Sequence, residues 1–480
     1  MVAPFFRQAW TVSAVLINMI GQGMMLSYTS TLLPGLQAPE SKMKVDLHTA
    51  SWLAASSGVA CIPGFFISSF LMKVYGRKIA HLVVILPGII GWLTIYFAQN
   101  VTTLMIGRIF GGISAGATVS LGAIVIGEYS HPKYRGMFLN LKTAAVCFGG
   151  MLVHIFGHFL SWRLVALIGV LPYTISCLIV CTWPESPAWL ASKGEFEKSE
   201  KSFFWLRENS KESQEEINEL IRVQRDRLSK PIVERSFSGQ VIDFFSKFSK
   251  KDFLKPLGIA VVSFTLLESS GRHIFPAYAP QIIGQLTGNK TQSFYYTLAL
   301  DLIITTSAVC SSILVKMMKR RTLLFTSGFA AFGAIMTACT YLAFGANNII
   351  SHQPWIALGM FVVYFILSNL GCTPIPLALL GEIFPLSHRE VASSIIGIFM
   401  SLALMIALQI TPYLLLHIKV YGTFYIFGSV TGLSLLILYF TLPETKDKTL
   451  QEIENYFNYG RYNSDERDEG DDVEVKMMKQ

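Results

Sequence analysis

The sequence predicts an all-α membrane protein with twelve transmembrane helices in two pseudo-symmetric six-helix bundles. Composition is the first reason: 52% of the 480 residues are hydrophobic and 15% are charged, whereas soluble domains carry about 25% charge. The second is an internal repeat, because Glu128 and Arg135 in GEYSHPKYRG recur at the same spacing as Glu382 and Arg389 in GEIFPLSHRE. Two copies of one charged motif in equivalent positions indicate a duplicated bundle.

Repeated apolar runs are the third observation, and they define the elements. Each run is long enough to cross about 30 Å of hydrocarbon. The runs lack the alternation of barrel strands, and in lipid only helices or closed barrels satisfy their own backbone. The predicted spans are residues 10–32, 50–72, 79–98, 103–129, 138–160, 163–183, 257–284, 293–317, 322–344, 354–380, 390–416 and 421–442.

The loops between the spans predict the orientation of the chain. Basic residues concentrate in alternate short loops and in the polar segment between the halves, which places both termini in the cytoplasm of a multi-pass protein. The apolar run that follows Arg7 is interpreted as the first span and not as a removable signal peptide. The basic loop residues include Lys73, Arg77, Lys78, Lys133, Arg135, Lys316, Lys319, Arg320, Arg321 and Arg389.

Four parts of the chain are predicted from these patterns. They are an N-terminal six-helix bundle (1–183), a cytoplasmic linker (184–256), a C-terminal six-helix bundle (257–442) and an acidic cytoplasmic tail (443–480). Helical periodicity in 195–207 and 212–228 predicts short amphipathic helices in the linker. The acidic stretch after Tyr462, which lacks aromatic residues, predicts disorder.

Several classes of function are excluded by what the sequence lacks. The net charge of +8 resides in loops, where it sets orientation and does not indicate nucleic acid binding. The seven cysteines fall in predicted spans without zinc-site spacing, so we expect no metal and no disulfide. Phosphate-binding loops, metalloprotease helices and nucleophile elbows are absent, so we expect neither an enzyme nor a cofactor.

A set of motifs extends from span 1 to residue 453 and resembles the sugar porter branch of the major facilitator superfamily, most of all its insect trehalose and hexose facilitators. The motifs are Gly76-Arg77-Lys78, Gly107-Arg108, Glu128…Arg135-Gly136, PESPAWL (184–190), PIP (374–376), EIFP (382–385), Arg389 and PETKDKTLQEI (443–453). The resemblance implies the major facilitator fold and a monomeric facilitative transporter of a hexose or trehalose in the plasma membrane. A proton-coupled sugar or polyol symporter and a non-transporting sugar sensor remain the alternatives.

The chain departs from the pattern of this family where sugar hydroxyls are bound. In LLESSGRHIFPAY (266–278), Leu267 and Glu268 stand at the two glutamine positions and His273 at the asparagine. In span 11, Met400-Ser401 replaces an asparagine-tryptophan pair. These departures leave the identity of the substrate open.

The repeated charges predict a cytoplasmic gate. Charges at the ends of spans can bridge the halves and close that side of a cavity, and opening would break the bridges. The alternative is that they only anchor helix ends at the lipid interface. The predicted gate residues, including those that the resemblance adds, are Gly76, Arg77, Lys78, Glu128, Arg135, Glu185, Arg320, Arg321, Glu382, Arg389 and Glu444.

Polar residues inside the spans are candidates for substrate binding, because intramembrane charge is costly. Glu268 and Arg272 are predicted to pair at i,i+4 spacing, and their role remains open between substrate contact, structural pairing and proton coupling. His154 and His158 share a helix face and are expected to line a cavity, and Lys142 is expected to snorkel toward headgroups. The candidate substrate-binding residues are Thr143, His154, Glu268, Ser270, His273, Pro374 and Pro376.

Two further residues complete the predictions. Arg108 begins span 4 near the outer side, where the resemblance implies an acidic partner in span 1 of proton-coupled members. Span 1 contains no acid, which leaves Asp301 in span 8 as a substitute or as a residue that lines a cavity or pairs locally. Asn289, in the sequon Asn289-Lys290-Thr291, is a predicted glycosylation site in an outer loop.

Overall fold

The computed structural model describes residues 4–39, 41, 43–229, 251–288, 292–351, 353–384, 389–446, 448 and 450–459. Within these residues the chain is helical and contains no strand. Twelve helices or consecutive helix pairs are long and apolar enough to cross a membrane. The predicted fold class and the predicted number of spans are therefore confirmed.

Six spans form the N-terminal half. Spans 1, 2 and 6 are each divided into two helices, whereas spans 3, 4 and 5 are single helices. In chain order the helices are Pro4–Ser27 and Thr29–Gln37, Leu47–Val59 and Cys61–Val74, Arg77–Tyr96, Val101–Tyr129, Pro132–Phe159, and Trp162–Ile168 with Val170–Cys181.

Six further spans form the C-terminal half, and two of these are divided. In chain order the helices are Lys251–Ser269 and Ile274–Thr287, Ser293–Met317, Arg320–Ala346, Pro354–Gly371 with Pro374–Glu382, Arg389–His417, and Lys419–Thr441. A short helix follows at Leu450–Tyr459. Both divided spans of this half, 7 and 10, are interrupted near the middle of the bundle.

Side-chain caps mark the starts of several spans. Asp46 Oδ1 accepts a hydrogen bond from the Thr49 backbone N at 3.2 Å, and Asn100 Oδ1 accepts one from the Thr103 N at 2.8 Å. These caps satisfy amide donors that the first turn of a helix leaves free. The hydrogen bonds from Thr49 also lower the pKa of the Asp46 carboxyl.

Small residues let the spans of the N-terminal half pack backbone to backbone. A Cβ atom on Gly64 of span 2 would lie 2.2 Å from the Ile113 carbonyl oxygen of span 4, and one on Gly23 of span 1 would lie 2.0 Å from that of Val146 in span 5. Helix association in lipid depends on this kind of close contact. The glycines therefore fix how spans 1, 2, 4 and 5 surround the centre.

Between the halves, the described linker forms the helices Pro187–Ser192, Phe196–Leu206 and Lys211–Ser229. They pack at one end of the N-terminal half, where Gln8 Nε2 donates to the Leu206 carbonyl at 3.0 Å. Arg207 donates to Ser130 O at 3.3 Å, and burial lowers the pKa of its guanidinium. We call this end of the bundle the linker side and the opposite end the far side.

The two halves contact each other on the far side. Gln409 Nε2 of span 11 donates to Ser51 Oγ of span 2 at 3.1 Å. Below this hydrogen bond, Gly58 approaches the Met405 backbone so closely that a Cβ atom would lie 2.9 Å from its N. On the same side, His158 of span 5 stacks on Phe294 of span 8 with ring centroids 3.9 Å apart.

Candidate functional site

The linker side of the N-terminal half holds a charge cluster. Arg77 forms two parallel hydrogen bonds to Glu128, at 2.6 and 2.7 Å, and Ser186 Oγ donates to Glu128 Oε2 at 2.5 Å. The Glu185 carboxylate accepts from the backbone N of Arg77 at 2.7 Å and of Lys78 at 3.1 Å. Bidentate contact with a carboxylate is a strong charge-assisted arrangement. Glu185 thus binds the backbone at the start of span 3, and Glu128 binds the side chain of Arg77, the first residue of that span.

Gly76 makes the approach of Glu185 possible. Its φ is +91°, and a Cβ atom there would lie 2.4 Å from Glu185 Oε2. Lys78 completes the contact between span 3 and the end of span 6, since its Nζ donates to the Trp183 carbonyl at 2.9 Å.

The C-terminal half repeats this cluster. Arg320 Nη2 lies 3.1 Å from Glu382 Oε1, and Thr445 Oγ1 donates to Glu382 Oε2 at 2.6 Å. Glu444 accepts from the backbone N of Arg320 at 2.9 Å and of Arg321 at 3.0 Å. The two halves therefore share the same local chemistry.

Neither described cluster bridges the halves. Glu128 and Glu382 both pair within their own half, which differs from the predicted clasp. Arg135 Nε is buried without a hydrogen-bond partner in the described part of the chain. Arg389 begins its helix, but its side chain lies outside the described residues. The gating role of all these residues remains a prediction.

A central cavity lies between the halves at the mid-depth of the bundle. The empty space within its walls, counted together with the open solvent at its mouth, is about 670 Å³. Spans 1 and 5 of one half and spans 7, 8 and 10 of the other supply its wall. The polar lining residues are Ser27, Ser270, Arg272, His273, Asp301, Ser368, Asn369 and Thr373.

His154 joins the two halves at this cavity. Its Nδ1 lies 2.6 Å from Asp301 Oδ2 of span 8, and its Nε2 lies 2.9 Å from the Pro276 carbonyl oxygen of span 7. A carbonyl only accepts, so Nε2 carries a proton. The Nδ1 contact then holds one further proton, either on the imidazole or on the carboxyl group. Asp301 is thus locally paired, which was one of the predicted roles.

The predicted pairing of Glu268 with Arg272 is wrong. The helix Lys251–Ser269 ends before Arg272, and Gly271 has φ +76°, so the two residues do not share a helix face. Glu268 Oε2 instead lies 2.9 Å from His273 Nδ1. Glu268 Oε1 and Arg272 Nη1 are both buried without a hydrogen-bond partner among the described residues.

The remaining substrate-binding candidates lie at three different positions. Thr143 and Pro374 line a smaller pocket that shares Asn369 and Thr373 with the central cavity. Ser270 lines the central cavity, although its hydroxyl donates to the Leu267 carbonyl at 2.7 Å. Pro376 is buried and lines neither. Their contact with substrate remains a prediction.

Two basic residues of the N-terminal half point inward. The prediction that Lys142 snorkels is wrong, because its Nζ donates to the Val119 carbonyl of span 4 at 3.3 Å. Arg108 is fully buried on the far side and donates to Met25 O, Leu53 O and Thr29 Oγ1 at 2.5, 3.0 and 3.1 Å. Met25 and Thr29 lie beside the break of span 1 at Tyr28, whereas Leu53 lies within the first helix of span 2. Arg108 therefore joins spans 1 and 2, and its hydrogen-bond partners among the described residues are carbonyl, hydroxyl and thioether groups and not acids.

Sequence reasoning missed several members of these sites. Ser186 and Thr445 bond the cluster carboxylates, and their recurrence in PES and PET was the available signal. Ser51 and Gln409 gave no signal, because uncharged polar residues are scattered through these apolar spans and neither residue belongs to a repeated motif. Asn289 lies outside the described residues. The described residues hold no group of His, Cys, Asp and Glu that could bind a metal.

A cavity between two six-helix halves with duplicated charge clusters defines a membrane transporter of the major facilitator fold. Two solved structures support the fold. The proton:xylose symporter XylE bound to 6-bromo-6-deoxy-D-glucose is 20% identical with a TM-score of 0.74, and the inward-open xylose transporter XylE from E. coli is 19% identical with a TM-score of 0.75. Each comparison covers 94% of this chain and 99% of the other.

Sequence comparison gives the family. The model of the family described as "Sugar (and other) transporter" matches residues 22–457, and the chain belongs to this family. A facilitated trehalose transporter Tret1 from Apis mellifera ligustica is 27% identical over 91% of this chain and 85% of its own length. The Tret1 of Polypedilum vanderplanki is 27% identical over 94% and 88%. Membership also confirms that the chain is a transporter and not an enzyme.

Proposed function

We propose that the protein is a facilitative sugar carrier that works by alternating access in the plasma membrane, with a hexose or trehalose as substrate. The central cavity carries this proposal, because the C-terminal half lines it with hydroxyl, amide and charged groups and the N-terminal half adds the Ser27 hydroxyl. A sugar that leaves water must exchange its hydrogen bonds for protein ones. The similarity to trehalose facilitators supports this substrate class.

Alternating access is supported by the unequal ends of the bundle. On the far side the halves are joined through Ser51–Gln409 and through His154 with Asp301 and Pro276. On the linker side Glu128 and Glu382 pair within their own halves. The basic loops support a cytoplasmic linker side and cytoplasmic termini. We infer from these contacts a state that is closed toward the outside, and we propose that the carrier acts as a monomer.

In the opposite state, we expect the linker-side charges to meet across the halves. Arg135, whose Nε has no hydrogen-bond partner here, is available for a carboxylate of the C-terminal half. Arg389 is expected to act in the same way toward Glu128. The within-half pairs around Arg77 and Arg320 would then move with each half as rigid supports.

Proton-coupled transport is the second candidate, favoured by the His154 contacts. Because His154 lies between a carboxylate and a carbonyl, the closed far side holds one proton more than a neutral imidazole and a free carboxylate would carry. A carrier that returns empty with this proton bound would be a uniporter, whereas one that returns without it would be a symporter.

Radiolabelled uptake in a host without sugar carriers tests both candidates. The panel consists of glucose, fructose, trehalose and a polyol, with and without an inward proton gradient. Facilitation predicts saturable uptake that stops at equal concentrations in both conditions. Accumulation above equilibrium in acid medium would replace it with symport, and a complete lack of saturable uptake would favour a sugar sensor.

A further inference from the structure

Arg272 is a charged residue in the wall of the central cavity. It lies in the break of span 7 between Ser269 and Ile274, next to Gly271, whose φ of +76° ends the helix. The residue lines the cavity, and its Nη1 is buried without a hydrogen-bond partner in the described chain. A guanidinium withdrawn from bulk water requires acceptors.

The two nearby carboxylates, Asp301 and Glu268, do not supply a hydrogen-bond acceptor to the Arg272 Nη1 in the described chain. Asp301 is bonded to His154 at 2.6 Å, and Glu268 is bonded to His273 at 2.9 Å. The Glu268 side chain is 5% exposed and does not belong to the cavity wall. Each carboxylate is thus bonded to a histidine, and Glu268 acts on Arg272 through its charge without a hydrogen bond to the Arg272 Nη1.

A second positive charge, on Lys142, adds to the positive charge of Arg272 in this region. Lys142 of span 5 lies close enough to Arg272 for the two charges to repel each other. Its ammonium donates to the neutral Val119 carbonyl at 3.3 Å. Arg108 shows the contrast, since its donors reach carbonyl and hydroxyl oxygens of spans 1 and 2.

We propose that the carrier also takes, and prefers to neutral sugars, a sugar that carries a carboxylate, of the uronate or aldonate class, with Arg272 as its counter-ion. This inference rests on the proposed transport of sugars. The planar guanidinium matches a carboxylate in a bidentate geometry. Around it, Ser27, Asn369 and Thr373 present hydroxyl and amide groups suited to the hydroxyls of a sugar ring. Because Arg272 lies at the break of span 7, binding there places the ligand against this break.

The test uses purified full-length protein in liposomes. Uptake of labelled glucose is measured in competition with glucuronate, gluconate, trehalose and glucose 6-phosphate. We expect glucuronate or gluconate to compete at a concentration at least about 10-fold below that of the neutral sugars, as a charge-assisted hydrogen bond predicts. Labelled glucuronate should itself be taken up.

Variants then assign the effect to Arg272. Arg272→Gln should weaken glucuronate competition at least about 10-fold while it changes neutral sugars by less than about 3-fold, and Arg272→Lys should retain part of the preference. Arg222→Gln, which alters an arginine with a 71% exposed side chain in the linker, is the matched control.

Three results would overturn the inference while the proposed function stands. They are neutral sugars that compete better than sugar acids in the wild type, an equal loss for both classes in Arg272→Gln, and stronger competition by the phosphate ester than by glucuronate. The wild-type competition alone decides the matter if Arg272→Gln does not fold. Failure of every sugar to be taken up would instead refute the proposed function.

Discussion

Removal of the Asp301 carboxylate should open the far side of the bundle. Asp301→Ala takes away the 2.6 Å contact to His154, one of the hydrogen bonds that join the halves there. A hydrogen bond to a charged group contributes about 1.5–3 kcal/mol. The fraction of molecules open on the far side should therefore rise by about 10- to 150-fold.

Cys147 provides the assay, because it lines the central cavity. In protein that retains Cys147 as its single cysteine, a membrane-impermeant thiol reagent applied from the far side should label Asp301→Ala faster by that factor. Asp46→Ala is the control, since it removes an exposed far-side carboxylate whose described partner is Thr49 in its own half. An unchanged labelling rate in folded Asp301→Ala would refute the reasoning.

The same labelling experiment can be carried out at several pH values. The closed pair holds one proton more than a separate neutral imidazole and carboxylate, so a rise in pH removes it and far-side labelling should increase. Labelling of Cys147 rises with pH in any variant, because the thiolate is the reactive form. Asp301→Asn should keep a neutral hydrogen bond to His154 and show only this rise, so the rates of the two proteins are compared at each pH. The other titratable groups on the cavity wall, Arg272, His273 and Cys147, are unchanged in that variant.

Three more variants test the fold around the site. Glu185→Ala removes the acceptor of two span-3 amides and should lower the thermal midpoint of the purified protein, with a loss of about 1–3 kcal/mol. Glu219→Ala, in an exposed ion pair, should not lower it. Gly271→Ala forces a side chain to φ +76° and should cost about 1–2 kcal/mol and slow transport. Gly284→Ala, with open space at its Cβ, should do neither. Arg108→Lys should lower the midpoint, because one ammonium cannot reach the separated acceptors that the guanidinium bonds in spans 1 and 2.

The sequence predicted the architecture well, because lipid restricts the chain so strongly. Apolar length alone indicates a span, and the repeat from Glu128 to Glu382 indicated two halves. The amphipathic pattern in the linker marked segments where the structure has helices. These signals are local or periodic, so they can be recognised in the sequence without knowledge of tertiary contacts.

Tertiary contacts account for what the sequence did not predict. Glu268 and Arg272 have ideal spacing for a helical pair, but the positive φ of Gly271 separates them. His154 and Asp301 meet only because spans 5 and 8 pack across the two halves. Lys142 turns inward because a carbonyl of span 4 is within its reach.

Cross-linking of the far side during counterflow tests alternating access most directly. Ser51→Cys and Gln409→Cys, in protein whose native cysteines are replaced by serine, place thiols where the two halves share a 3.1 Å hydrogen bond. Liposomes loaded with unlabelled sugar should accumulate labelled sugar transiently, a short reducible cross-linker should stop this exchange, and a reductant should restore it. Full counterflow with the cross-link in place would mean that the halves need not separate on the far side, and it would contradict the account.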